Sequence, residues 1–170
     1  MATITLKGTP YNTSGDLISE GQAVGEFQLT NSSLEPVTLK SLAGDKIILN
    51  CFPSIDTPVC ANSVRKFNEE AGALEGVKVL CVSQDLPFAL NRFCSGEGIE
   101  DVIPASAFRD HELGEKLGIL ITDGPLQGLF ARAVIVLNAE GTVLYSQLVP
   151  EIAQEPDYEA VLSAVKSSVL

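Results

Sequence analysis

At 170 residues the chain is long enough to bury about two-thirds of its unfolded surface, so neither disulfides nor metals are needed for folding. It is 45% hydrophobic, lacks tryptophan, and carries 22 acidic against 11 basic residues for a formal charge of −11. No basic cluster exceeds Arg65-Lys66, which argues against a nucleic-acid or anionic-membrane partner, since either needs a positive footprint.

No segment approaches the roughly 18 consecutive apolar residues of a membrane span. The N-terminus, Met1 to Gly8, alternates like a strand and lacks the apolar core of a signal peptide. One domain over residues 1–170 in the cytoplasm is the expectation. In that reducing compartment the four cysteines are expected to be reactive, metal-binding or buried rather than a disulfide framework.

In chain order, Thr3 to Lys7 and Tyr11 to Thr13 predict an N-terminal hairpin, followed by loop from Gly15 to Gly25. Phe27 to Thr30 and Val37 to Leu39 are short strand candidates around Asn31-Ser32-Ser33, and Ser41 to Gly44 a brief turn. The apolar run Lys46 to Phe52 predicts a central strand that ends at Pro53. Cys60 then stands just ahead of a helical pattern in which Val64, Phe67, Ala71 and Leu74 recur at three- and four-residue intervals. Strand, loop, cysteine, helix is the order, and it sets the Cys60 sulfur beside the free N–H groups of a helix's first turn. The macrodipole there favours a thiolate over a thiol. Thr57, three residues back, is expected to bring its hydroxyl near the same sulfur.

Val77 to Ser83 is the clearest buried strand. Pro87 to Cys94 predicts a short helix ended by Ser95-Gly96 and Gly98, Asp101 to Ile103 a weak strand, and Asp110 to Leu117 a polar helix stopped by Gly118. Ala131 to Leu137 and Thr142 to Leu148 predict an antiparallel hairpin about the turn Asn138 to Gly141. Glu155-Pro156-Asp157 caps a last helix with Tyr158, Val161, Leu162, Val165 and Val169 on one apolar face. This order matches a thioredoxin-like α/β fold, a mixed central sheet flanked by helices, with an added N-terminal β-hairpin.

Arg132 interrupts an otherwise apolar stretch, and a charge entering a buried strand needs a partner. It is the leading cation for stabilising an ionised sulfur, against the alternative of a structural salt bridge. Arg65 and Arg92 have polar neighbours and read as surface charges, and His111, between Asp110 and Glu112, as a solvated helix residue. Cys51 and Cys81 fall inside apolar strands and read as buried, inert thiols. The cysteine spacings contain no Cys-x-x-Cys pair, which weakens both a metal site and a thioredoxin-type oxidoreductase.

The pattern Pro53-x-x-x-Thr57-x-x-Cys60 resembles the active-site signature of the peroxiredoxins. The longer string Phe52 to Ala61 with Ser63 to Asn68 is similar to the thiol peroxidase branch of that family. So are Ser83 to Ala89, Arg92-Phe93-Cys94, Asp123 to Leu126, Ala131 to Val134 and Glu155 to Tyr158. Pro58 stands where some relatives carry glycine, a change that suits the first turn of a helix. The resemblance implies that Cys60 is the peroxidatic cysteine and Cys94 the resolving cysteine of an intrachain disulfide. It further implies that Thr57 and Arg132 hold the peroxide, that Pro53 shields the pocket, and that a thioredoxin-type protein reduces the disulfide. Hydrogen peroxide and alkyl or lipid hydroperoxides are the implied substrates, in a homodimer with no metal or organic cofactor.

Overall fold

The computed structural model describes residues 2–42, 44–71 and 74–167. Its centre is a seven-stranded mixed sheet in the order β4-β3-β7-β6-β5-β8-β9. The strands are β3 (Leu29–Thr30), β4 (Pro36–Val37), β5 (Lys46–Cys51), β6 (Val77–Ser83), β7 (Ile103–Ser106), β8 (Ala133–Leu137) and β9 (Val143–Leu148). β5 pairs parallel with β6 and antiparallel with β8, while β6 pairs parallel with β7. A separate two-stranded hairpin joins β1 (Thr3–Leu6) to β2 (Thr9–Asn12) through Lys7 and Gly8, both with positive φ. Positive φ at both central residues matches the right-handed twist of the flanking strands.

Strand alternation divides the apolar residues between two faces. Ile47, Leu49 and Cys51 of β5 join one buried cluster with Ile4 of the hairpin and with Leu113 and Leu117 of α3 (Leu113–Leu117). Ile48 and Phe52 join the other cluster. On that second face α1 (Pro58–Glu70) lies over β6, α2 (Pro87–Glu97) over β7, and α4 (Tyr158–Ser167) over β8 and β9. Val64 and Phe67 are the apolar stripe of α1, and burying each contributes about 1.5–3 kcal/mol. Phe67 meets the Tyr158 ring edge-on at 5.1 Å between centroids, which seats α4 against α1.

Several boundaries differ from the sequence-based expectation. The Cys60 helix begins at Pro58, so Cys60 is its third residue rather than the residue ahead of it. α2 runs through Ser95 and Gly96 to Glu97 and stops at the left-handed Gly98. β7 begins at Ile103, because the register is set by pairing Leu80 with Ile103 rather than by the apolar residues Val102 and Ile103 alone. α3 starts only at Leu113, where the Asp110 carboxylate accepts the amides of Glu112 and Leu113, and His111 sits in the exposed turn before it. Lys40–Leu42 forms a 3₁₀ turn, and Val169 of the expected α4 stripe lies outside the described residues.

The hairpin is tied to the segment after β9. Thr5 N–H donates to the Pro150 carbonyl at 2.7 Å, and Ile152 N–H to the Thr5 carbonyl at 2.8 Å. The Glu151 carboxylate accepts the Gly8 amide, the Thr5 hydroxyl and the Ala153 amide. Those bonds, led by the Ala153 and Gly8 amides, lower the Glu151 pKa from 4.5 to about 2. A depressed carboxylate supports the folded state above its unfolded value and loses that support as it protonates. Protection of the Thr5 and Gly8 amides, measured against their intrinsic exchange rates, is therefore expected to fall as pH drops from 4.5 towards 2. Glu151→Gln is expected to exchange faster at neutral pH and to lose that acid dependence.

Candidate active site

The loop between β5 and α1 is fixed before the helix begins. Pro53 is buried at the end of the strand. Ser54 donates its hydroxyl to Asp85 at 2.8 Å, and the Ile55 amide reaches the other oxygen of that carboxylate at 2.8 Å. Asp85 also accepts the Ser83 hydroxyl, so one side chain at the end of β6 holds the loop in place. The Ser54 carbonyl accepts the Thr57 hydroxyl at 2.8 Å, and Thr57, in an extended conformation, becomes the N-cap residue of α1.

The first turn of α1 has amides to spare. Pro58 has no N–H, and the Ala61 amide reaches the Thr57 carbonyl at 3.0 Å. The Thr57 side chain makes no cap bond, which leaves the amides of Val59 and Cys60 without a helical partner beside the sulfur. Such a terminus favours negative charge.

Arg132 immediately precedes β8 and is 1% exposed. Its Nε donates to the Ile152 carbonyl at 2.9 Å and its Nη2 to the Cys60 Sγ at 3.1 Å. The third nitrogen, Nη1, is buried with no hydrogen-bond partner. Among the described residues no carboxylate forms an ion pair with this guanidinium. The structural salt bridge weighed from sequence is therefore absent there, and the cation meets sulfur instead.

Cys60 and Arg132 are thus in contact, while the Thr57 hydroxyl is committed to Ser54. Cys94 lies on α2 in the same apolar cluster as Cys60, but all four cysteines are free thiols. Burial pushes the Cys94 thiol from 9.0 to about 11 and that of Cys51 to about 12. Burial, with smaller contributions from Cys94 and Cys51, raises Cys81 well above its ordinary value. Arg65 and Arg92 are on the surface as expected, yet each is paired: Arg65 with Glu97 at 2.6 Å, Arg92 with Asp56 at 3.0 Å.

Sequence reasoning gave no role to Asp85, nor to the pair Asn50 and Ser63 behind Cys60. Ser63 donates its hydroxyl to the Cys60 carbonyl at 2.8 Å and lies 3.2 Å from Asn50 Nδ2. The available signal was a polar residue, Asn50, inside the apolar run of β5. A surface groove of about 890 Å³ lined by Lys40, Arg109, His111 and Lys116 includes none of these residues. Among the described residues no group of three or more His, Cys, Asp or Glu side chains is placed to hold a metal ion.

Comparison with known proteins agrees with this geometry. The Redoxin family model matches residues 19–162. The thiol peroxidase of Mycobacterium tuberculosis is 54% identical over 165 residues, covering 97% of this chain and 99% of the relative. That of Corynebacterium glutamicum shows the same identity and coverage. The crystal structure of a peroxiredoxin-like protein from Aquifex aeolicus superposes with a TM-score of 0.91 at 40% identity, covering 98% of this chain and 96% of its own. This cysteine-bearing helix over a mixed sheet, with a buried cation against its sulfur, therefore belongs to an enzyme of the peroxiredoxin family, in its thiol peroxidase branch.

Proposed function

We propose that Cys60 reduces hydrogen peroxide and organic hydroperoxides, that Cys94 resolves the oxidised sulfur within the chain, and that thioredoxin restores both thiols. One observation carries this reading: a buried guanidinium that donates to the Cys60 sulfur at 3.1 Å. Burying a cation away from any carboxylate is costly unless a negative group answers it, and a thiolate does so.

A thiolate alone is not enough. Lowering a thiol's pKa raises its ionised fraction but lowers its nucleophilicity, with a Brønsted slope of about 0.4–0.5 in thiol exchange. The larger gain comes from donors placed where charge develops. The unpartnered Arg132 Nη1 and the leftover Val59 and Cys60 amides supply such donors. Thr57, with its hydrogen given to Ser54, keeps an oxygen lone pair for the incoming peroxide's proton. Pro53, buried at the end of β5, is assigned to shielding the site.

The Cys60 thiolate attacks the distal peroxide oxygen as the O–O bond breaks. Sulfur leaves as a sulfenic acid and the alkoxide takes a proton to become an alcohol or water. Cys94 then attacks that sulfur, a disulfide forms and water departs. A dithiol protein finally exchanges into the disulfide, returning two thiols and leaving oxidised itself. The cycle is assigned to the cytoplasm and to a homodimer.

Resolution needs movement. Cys60 is the third residue of α1 and Cys94 the eighth of α2, and both helices start at the same end of the sheet, after the parallel strands β5 and β6. Five residues of offset is about 7.5 Å along the axes, before any lateral separation, and a disulfide needs Cα atoms within about 7 Å. α2 is built to let go. Its N-cap, Leu86, makes no side-chain cap bond, and Gly96 lies inside it. The ion pairs tying it to the α1 side are solvent-exposed and contribute about 0–1 kcal/mol each.

Peroxide titration with mass analysis of linked peptides is expected to yield a Cys60–Cys94 disulfide that thioredoxin reduces. Cys60→Ser is expected to abolish peroxide consumption, and surviving turnover would refute the assignment. Replacing Arg132 with methionine should lower kcat/KM for peroxide by about 10²–10³-fold in stopped-flow assays. The raised Cys94 thiol gives a pH signature. The closed form holds the Cys94 proton up to about pH 11, whereas an opened form releases it near 9.0, so rising pH favours the opened, reactive thiolate. While the closed form predominates, the rate of disulfide formation should climb from pH 7 past the ordinary thiol value and level off only towards about 11.

A further inference from the structure

Asn50 sits in the middle of the buried sheet, paired in register with Cys81 on one side and Val134 on the other, and is 0% exposed. Both neighbours belong to the cluster under α1, so Asn50 faces the Cys60 helix. Its Nδ2 lies 3.2 Å from the Ser63 hydroxyl, and that hydroxyl donates to the Cys60 carbonyl at 2.8 Å. A hydroxyl has one hydrogen to give. Ser63 spends it on Cys60, so its oxygen accepts from Asn50, and the amide orientation follows. Asn50 Oδ1 is then left buried with no partner. Buried acceptors are rarely left unpaired, and nothing in the closed form explains this one.

We propose that Asn50 is a positioning residue for the resolving step and that its spare oxygen is a reserve acceptor used when the first turn of α1 opens. This rests on the intrachain disulfide reading above. When Cys60 leaves its helical position to meet Cys94, its carbonyl leaves Ser63 behind. With Asn50 fixed, two buried groups would be unsatisfied, the Ser63 hydroxyl hydrogen and Oδ1. A half-turn of the Asn50 amide brings Oδ1 onto that hydroxyl and leaves only the NH2 group unpaired. Closed and opened forms then each carry one unsatisfied group, and the opened form is not penalised for a stranded hydroxyl. In the closed form the same pair holds the Cys60 carbonyl in place for the peroxide step.

The test separates the two chemical steps. Reduced protein is mixed with one equivalent of hydrogen peroxide, quenched at intervals with an alkylating agent, and the sulfenic acid and Cys60–Cys94 disulfide forms are counted by mass. Circular dichroism checks folding. Asn50→Leu, which keeps the branched shape and removes the acceptor, is expected to form disulfide about tenfold more slowly. Ser63→Ala removes the hydrogen that needs a home and is expected to resolve at least as fast as the native chain. The double variant, apolar at both positions, is expected to recover most of the loss. A merely structural role would slow resolution in proportion to lost thermal stability and would show no such rescue. The proposal is overturned if Asn50→Leu resolves at the native rate, if Ser63→Ala is itself about tenfold slower, or if the double variant stays as slow as Asn50→Leu. Should Asn50→Leu fail to fold, Ser63→Ala decides alone. Absence of any Cys60–Cys94 disulfide in the native chain would overturn the parent reading along with this one, whereas the other outcomes leave the parent reading standing.

Discussion

A guanidinium with 1% of its surface in water, bonded to a sulfur, is the constraint on which the site depends. Away from water the attraction between the two is far stronger than at the surface, and so is the cost of misplacing either. The chain therefore fixes both ends. Arg132 is held at its backbone by the Val149 amide on its carbonyl and at its Nε by the Ile152 carbonyl. Ile152 is in turn held by Thr5, so the N-terminal hairpin, far from Cys60 in sequence, is part of what aims the cation. A hairpin that looks like decoration on the sheet stands three hydrogen bonds from the Cys60 sulfur.

The opposite side of the site is held by polar bonds rather than by packing. Asp85 gathers Ser54, Ile55 and Ser83, and Ser54 passes the constraint on to Thr57 and the start of α1. Two residues after Asp85 the chain enters α2, which buries Pro87, Leu90 and Cys94 but whose polar ties to the α1 side are exposed ion pairs and the Arg65 guanidinium stacked on Phe93 at 5.2 Å. A rigid half and a loosely tied half thus share one face of the sheet. That division suits the proposed cycle, in which the Ser54–Asp85 anchor keeps its geometry while α2 and the first turn of α1 rearrange.

The parts of the site visible in the sequence were those with local or strongly contrasting signals. Pro53, Thr57 and Cys60 lie within one short loop and helix start, and Arg132 stood out as a charge in an apolar run. The full burial of β8, and that of β6 from Val79 onward, was equally legible from apolar stretches. Long-range hydrogen bonds were invisible. Asp85 reaches back to Ser54 across 31 positions and Arg132 reaches Cys60 across 72, and no periodicity records either. Element edges failed where tertiary contacts outweighed propensity. Gly96 stays helical because the turn is closed one step later, where Gly98 takes the left-handed conformation and the Ile99 amide returns to the Cys94 carbonyl at 2.9 Å. The Thr57 hydroxyl was expected near the sulfur; that its hydrogen goes to a carbonyl three residues back had no signal in the sequence.

Four thiols share one chain, and the fold distinguishes them by their surroundings rather than by their chemistry. Cys51, Cys81 and Cys94 are each held protonated by burial, with no cation to offset the desolvation of a thiolate. Among the described residues only Cys60 meets a guanidinium. Since the thiolate and not the thiol attacks an O–O bond, the proposed cycle assigns peroxide to that one sulfur among four. Burial of Cys94 then has a second consequence on the proposed cycle. With a thiol at about 11, only about one molecule in 10⁴ is ionised at neutral pH, so it neither competes for peroxide nor is oxidised in its own right. Opening α2 restores an ordinary thiol beside an electrophilic sulfur. On the proposed cycle, peroxide first and resolution second, the sulfur that meets the guanidinium is the one that reacts first.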